Sequence, residues 1–295
     1  MMAAQSHITP DPLQGTVGGT TPFEMQAALI PDENKFEYES AAEMLRIMQT
    51  TINSGSAEEY FLYFHGVTHD DLPEIDKEFF ASNIQGTVRF TTENILQALI
   101  CRMLPGWRHR TLSLNLSIRI TFKITDIPGN TLYSTRTFCG TRFDFGNIRS
   151  KEGHQPLGPA TRGAKGVWPS VAMEVGYSQA MDFLRLDAER WLINSAGAIR
   201  HVILVQLMTD SLALHIECWA MAPAPQMGTR QSPNGVPRCV QQFKINTNGA
   251  VISTSPELRI PYTAIFDEPN ENPPDVVFTN AELSSFALQM FEMMN

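Results

Sequence analysis

Hydrophobic positions recur along this chain with two spacings, and each predicts a different element. In "NKFEYESAAEMLRIMQTTI", Ala41, Met44, Leu45 and Met48 share one face of an amphipathic helix. In "TTENILQALICRML", Ile95, Leu96, Leu99, Ile100 and Met103 predict a second helix, capped by Thr91 or Thr92 and stopped by Pro105-Gly106. From Ser178 to about Asn194, Met181, Leu184, Ala188, Trp191 and Leu192 line up on one face, and Gly197 is placed to end that helix. A last helix, "NAELSSFALQMFEMMN", carries Leu283, Phe286, Ala287, Met290 and Phe291 as a face for docking on the core.

Alternation is clearest in "TLSLNLSIRITFKIT", where Leu112, Leu114, Leu116, Ile118, Ile120, Phe122 and Ile124 alternate with polar residues and predict a half-buried strand. "TLYSTRTF" (131–138) follows a Pro-Gly-Asn turn and is expected to pair with it antiparallel. "IRHVILVQL" (199–207) is nearly all apolar and β-branched, as a strand covered on both faces would be, and "LALHIECW" (212–219) alternates after it. "CVQQFKINTNGAVIST" predicts a hairpin around Asn248-Gly249, and "LRIPYTAIF" a further strand. "EEYFLYFHGV" (58–67) is apolar and aromatic with no decisive period.

The order strand, helix, strand, strand after residue 170 implies a crossover and a mixed sheet built from the 112–219 region, hence an α/β fold flanked by helices. We read residues 31–295 as one domain, 1–30 as a mobile Gly, Thr, Pro and Ala-rich arm, and the Pro/Gly-rich stretch 221–238 as a surface loop.

A chain of 295 residues, 43% hydrophobic, is long enough to bury a sizeable core. No apolar run approaches the roughly 20 residues of a membrane span, and the first residues lack a secretory pattern, so an intracellular location is expected. Cys101, Cys139, Cys218 and Cys239 have no CxxC spacing and read as reduced structural thiols. Net charge is -9, but residues 101–170 carry eleven Lys or Arg against three acids. That basic region is either a nucleic-acid-facing surface or a set of charges whose partners lie on the acidic segments.

In "WPSVAMEVGYSQA" (168–180) one carboxylate, Glu174, sits inside an apolar run. A buried carboxylate must be paired, protonated or metal-bound. The tract "SKEGHQPLGP...WPSVAMEVGYSQAMDFLRLDAERWLINSAGAIRHVILVQL" (150–207) resembles uncharacterised fungal proteins, which are in turn similar to the putative restriction-endonuclease family of the PD-(D/E)XK nuclease superfamily. The resemblance implies a restriction-endonuclease-like mixed β-sheet. It also implies a site in which an Asp and a strand Glu hold magnesium and a Lys activates water.

Glu174 falls at the family's metal-binding Glu, and His154 stands where the family has its Asp. Imidazole suits manganese or zinc better than magnesium. Glu152, two residues away, is the alternative second ligand, since residues two apart on a strand face the same side. The motif's Lys position is Gly176, and Arg185 or Arg190 on the following helix could steady phosphate but not act as a base. Two functions follow as expectations: a degenerate, noncatalytic nuclease-like fold serving as a binding or interaction module, or a Mg- or Mn-dependent phosphodiester hydrolase acting on DNA or RNA.

Other polar residues have simpler readings. His201 and His215, in neighbouring predicted strands, lack a third ligand with recognisable spacing, and Trp168 and Trp191 read as core. Asp187 with Arg190, and Arg185 with Glu189, have the spacing of ordinary helix ion pairs. "GTVGGT" lacks the Lys-Ser/Thr of a phosphate loop, and no GxSxG or HExxH is present.

Overall fold

The computed structural model describes residues 20–54, 60–82, 84, 88–103, 106–138, 141–145, 149–163, 167–177, 181–208, 211–223, 235–268 and 273–294. The expected arm falls largely outside them, but its last part is helix α1 (Pro22–Leu29). Thr21 Oγ1 accepts the Glu24 N–H at 3.2 Å while the Glu24 carboxylate accepts the Thr21 N–H at 2.7 Å, a capping box with Pro22 at the first helical position. Phe23 and Gln26 are buried, so this segment belongs to the packed body.

Next come β1 (Lys35–Glu37), the expected helix as α2 (Ala41–Asn53) capped by Ser40, β2 (Tyr60–His65) from the undecided aromatic segment, and α3 (Leu72–Ala81). The second expected helix is instead a hairpin of β3 (Val88–Glu93) and β4 (Ala98–Met103), with Thr91 and Thr92 inside β3. Gln97, at φ 47°, reverses the chain. Every residue of β4 is buried, and a strand covered on both faces has the same continuous apolar look as a buried helix.

The opposite error occurs at 112–124, which lies within helix α4 (Gly106–Thr125). The period-two pattern contains a period-four one. Leu112, Leu116, Ile120 and Ile124 are buried in one row while Leu114, Ile118 and Phe122 face outward. The strand expected at 131–138 is therefore paired elsewhere: β5 (Thr135–Thr137) lies antiparallel to residues 157–159.

The remaining elements are β6 (Arg142–Phe145), β7 (Arg149–Glu152), β8 (Leu157–Pro159), β9 (Val171–Tyr177), α5 (Met181–Asn194), β10 (His201–Met208), β11 (Ala213–Ala222), β12 (Val236–Ile245), β13 (Val251–Ser253), β14 (Glu257–Ile260), α6 (Tyr262–Ile265), β15 (Val276–Thr279) and α7 (Asn280–Met294). "LRIPYTAIF" is thus part strand and part helix. The 221–238 stretch supplies the ends of β11 and β12, and 224–234 lies outside the described residues. Gly249, at φ 80°, supplies the left-handed residue of the expected hairpin turn.

A first sheet runs β1-β2-β4-β3-β7-β6, a second runs β13-β12-β11-β10-β9-β8-β5, and β14 pairs with β15. The second is mixed: β9 and β10 are parallel, joined through α5, and β10, β11 and β12 are antiparallel. Its residues alternate between two cores. Met173, Val175, Ile203, Val205, Ile216 and Phe243 pack with α4 and α7, whereas Ala172, Val202, Leu204 and Trp219 pack under α5. Helix α5 also meets the first sheet, where Phe183 contacts Phe61 at a ring separation of 4.4 Å. Both sheets therefore share α5, and the polar residues at that shared layer are the ones the fold has had to accommodate.

Candidate functional site

Alternation along β9 points Ala172, Glu174 and Gly176 toward α5. Glu174 is 0% exposed, and four side chains hold its two oxygens. Oε1 accepts the Trp191 indole N–H at 2.7 Å and lies 3.3 Å from Lys151 Nζ. Oε2 lies 3.2 Å from Arg102 Nη1 and 2.6 Å from His154 Nδ1.

A second carboxylate closes the figure. Asp187 of α5 accepts from Lys151 Nζ at 2.7 Å and from Gln26 Nε2 of α1 at 2.7 Å, and stands 3.5 Å from Arg102. Two carboxylates and two cations thus form a closed ring, each cation touching both acids. Its members come from β4, β7, β9 and α5, so the ring joins the two sheets. Burial and the nearby cations Arg102, Arg89 and Lys151 hold His154 well below the ordinary histidine range, so its ring is neutral. Nδ1 also accepts the Val175 backbone N–H at 3.2 Å, so the turn after β7 is tied to β9 through both its main chain and the Glu174 side chain.

The space left inside is a cavity of about 10 Å³, lined by Gln26, Arg102, Lys151, His154, Glu174 and Asp187 among others. That is room for about one water molecule.

Of the expected ligands, the structure brings Glu174 and His154 into contact, while Glu152 lines the same cavity with its carboxylate paired to another residue. Strand β7 ends at Glu152, so the rule that residues two apart share a face does not carry on to His154 in the turn beyond. Glu152 instead pairs with Arg142 of β6 at 3.2 Å, which also binds Asp76 of α3 at 2.8 Å. Burial raises the Glu152 carboxyl above its usual range despite Arg142. Among the described residues, no group of three or more His, Cys, Asp or Glu is gathered as a metal site would need.

The two expected phosphate-steadying arginines, both on α5, make contacts of their own. Arg185 binds Glu217 of β11 at 2.6 Å and Asp182 at 3.0 Å, not Glu189. Arg190 lies over the Phe23 ring of α1 at 5.2 Å. Glu217 mirrors Glu174 across the sheet, since both stand opposite Leu204 in register. Burial pushes the Glu217 carboxyl up, but hydrogen bonds from Arg185 and Trp219 outweigh it and hold it below its usual range.

Residues that sequence reasoning missed complete the cluster. Lys151 stands inside the quoted "SKEGH", yet only the third dimension shows its ammonium beside Glu174. Asp187, read as the ordinary helix ion-pair partner of Arg190, is instead buried in the ring. A side chain at Gly176 would crowd α5, because its Cβ would lie 3.0 Å from Leu184 Cδ1 and force that leucine to shift. Gly176→Lys is expected to destabilise the protein by more than about 3 kcal/mol in urea unfolding, through overpacking and a buried unpaired charge, rather than to complete a motif.

The other readings hold in outline. Trp191 is fully buried, edge-on to Trp168 at 6.1 Å. His201 and His215 face opposite sides of the second sheet: His215 bonds Gln242 at 2.8 Å, while burial lowers His201 to about 4. Cys101, Cys218 and Cys239 are free thiols, and Cys139 lies outside the described residues. In the basic stretch, Lys123, Arg142 and Arg162 pair with Glu282, Asp76 and Asp267, and Arg102 and Lys151 are spent in the ring. No protein-family model matches this chain, and no curated protein matches it.

Proposed function

We propose that this chain is a noncatalytic nuclease-like α/β fold that acts as a binding or interaction module. The single observation that carries the reading is the neutralisation of Glu174 and Asp187 by Arg102 and Lys151 in a closed interior. In a nuclease site a divalent ion supplies two positive charges to the carboxylates and meets a phosphodiester. Here two side chains supply those charges, and neither a hydrated ion nor a phosphodiester has room in a cavity of about 10 Å³. The close approach of His154 to Glu174 fits the resemblance at 150–207, with the ligand pair kept as a structural contact.

Incubating the protein with plasmid DNA and RNA in magnesium or manganese tests this directly, beside Glu174→Gln. No cleavage above that of the variant is expected. Metal-dependent cleavage that Glu174→Gln abolishes would instead establish the phosphodiester hydrolase. Because five of the basic-stretch cations are already paired, nucleic-acid binding that falls steeply with salt is not expected either.

A further inference from the structure

Helix α4 carries a second row that the core does not use. At every fourth position it presents Arg110, Leu114, Ile118, Phe122 and, just past its end, Asp126, all exposed. The three apolar side chains are 50%, 43% and 57% exposed. Scattered surface leucines need no explanation, but three consecutive large side chains on one ridge form a patch of the kind that marks an interface. The flanking cations are turned away from it. Arg119 donates to Gln289 and lies over Phe286, while Lys123 pairs with Glu282 and lies over Phe278, so both lean onto α7 and β15 and leave the ridge apolar.

The two ends of the ridge carry opposite charges at equal distances from Ile118. Among the described residues neither Arg110 nor Asp126 forms an ion pair within its own chain. A ridge that is positive at one end, apolar in the middle and negative at the other is complementary to itself when reversed. We propose that α4 is the contact of a two-fold symmetric dimer of this chain. In it Ile118 meets Ile118 of the partner subunit, Leu114 meets the partner's Phe122, and Arg110 meets the partner's Asp126. Rows spaced by four residues interdigitate at a crossing of about 50°. Such an interface is isologous, so every contact occurs twice. It lies on the opposite face of the second sheet from the ionic ring and stands or falls independently of it.

Sedimentation velocity on the full chain from low to high micromolar concentration tests the proposal. A concentration-dependent dimer is expected. Ile118→Glu, placed on the two-fold at an exposed position, should abolish it with no change in thermal melting at the low concentration where the wild type is itself monomeric. Arg110→Glu and Asp126→Arg should each weaken association by about three- to tenfold, because each sets like charges against each other twice. The double substitution should recover it. A monomer at every concentration overturns the proposal, as does a dimer that survives Ile118→Glu or one in which the paired charge swap fails to restore what the single swaps lose.

Discussion

Arg102→Met should lower the unfolding free energy by about 3–5 kcal/mol, the cost expected when one partner of a buried ion pair is removed and the other is left uncompensated. The arginine touches both acids of the ring and also donates to the Val175 carbonyl of β9, so its loss leaves Glu174 and Asp187 sharing the single charge of Lys151. Restoring charge balance should restore stability. Arg102→Met combined with Glu174→Leu leaves the neutral pair Lys151 and Asp187, so the double variant should be more stable than the sum of its singles by about 1–3 kcal/mol. Urea unfolding of the four proteins in the cycle measures both quantities. A single-variant loss under about 1 kcal/mol, or strict additivity, would mean that the acids are solvated and that the interior is open to ions after all.

The ring also explains what a linear reading could and could not reach. Helix α5 and strands β9 to β11 were legible because their apolar runs, one bounded by Gly197, fit only one period at their length. The stretch at 112–124 was not, since every second residue being apolar also makes every fourth one apolar. Only the packing of Leu112, Leu116, Ile120 and Ile124 against the second sheet selects the helix. At 91–103 the deciding residue was Gln97, whose left-handed backbone no side-chain pattern announces. The capping box of α1 was written in the sequence as Thr-Pro-Phe-Glu and lay unread within a composition suggestive of disorder. Among site residues, Glu174 was conspicuous because a lone acid in an apolar run demands a partner. Its partners were invisible because they come from β4, β7, the turn after it and α5, brought near by the fold rather than by spacing.

Stability should also fall as the pH drops from about 6.5 toward 4, before ordinary carboxylates titrate. Burial lowers His201 to about 4 and places His154 well below its usual range, where the ring cations reinforce the effect. In the unfolded chain both rings take up protons near pH 6.5. Between those values the unfolded state binds more protons than the folded one, and unfolding free energy therefore decreases as pH falls. For His201 alone the window spans about 2.5 pH units, or about 3 kcal/mol at 1.36 kcal/mol per unit. Glu152, raised by burial, acts in the opposite sense, since its protonation is favoured in the folded state. Glu217, Asp267 and Glu282, all lowered, add a separate loss beginning only below about pH 4.5. Urea midpoints measured from pH 7.5 down to pH 4.5 should therefore slope downward in the wild type and less so in His201→Leu, which removes the buried ring and its unpartnered Nε2. Equal slopes in the two proteins would show that His201 takes its proton without unfolding, and would place water where the second sheet now excludes it.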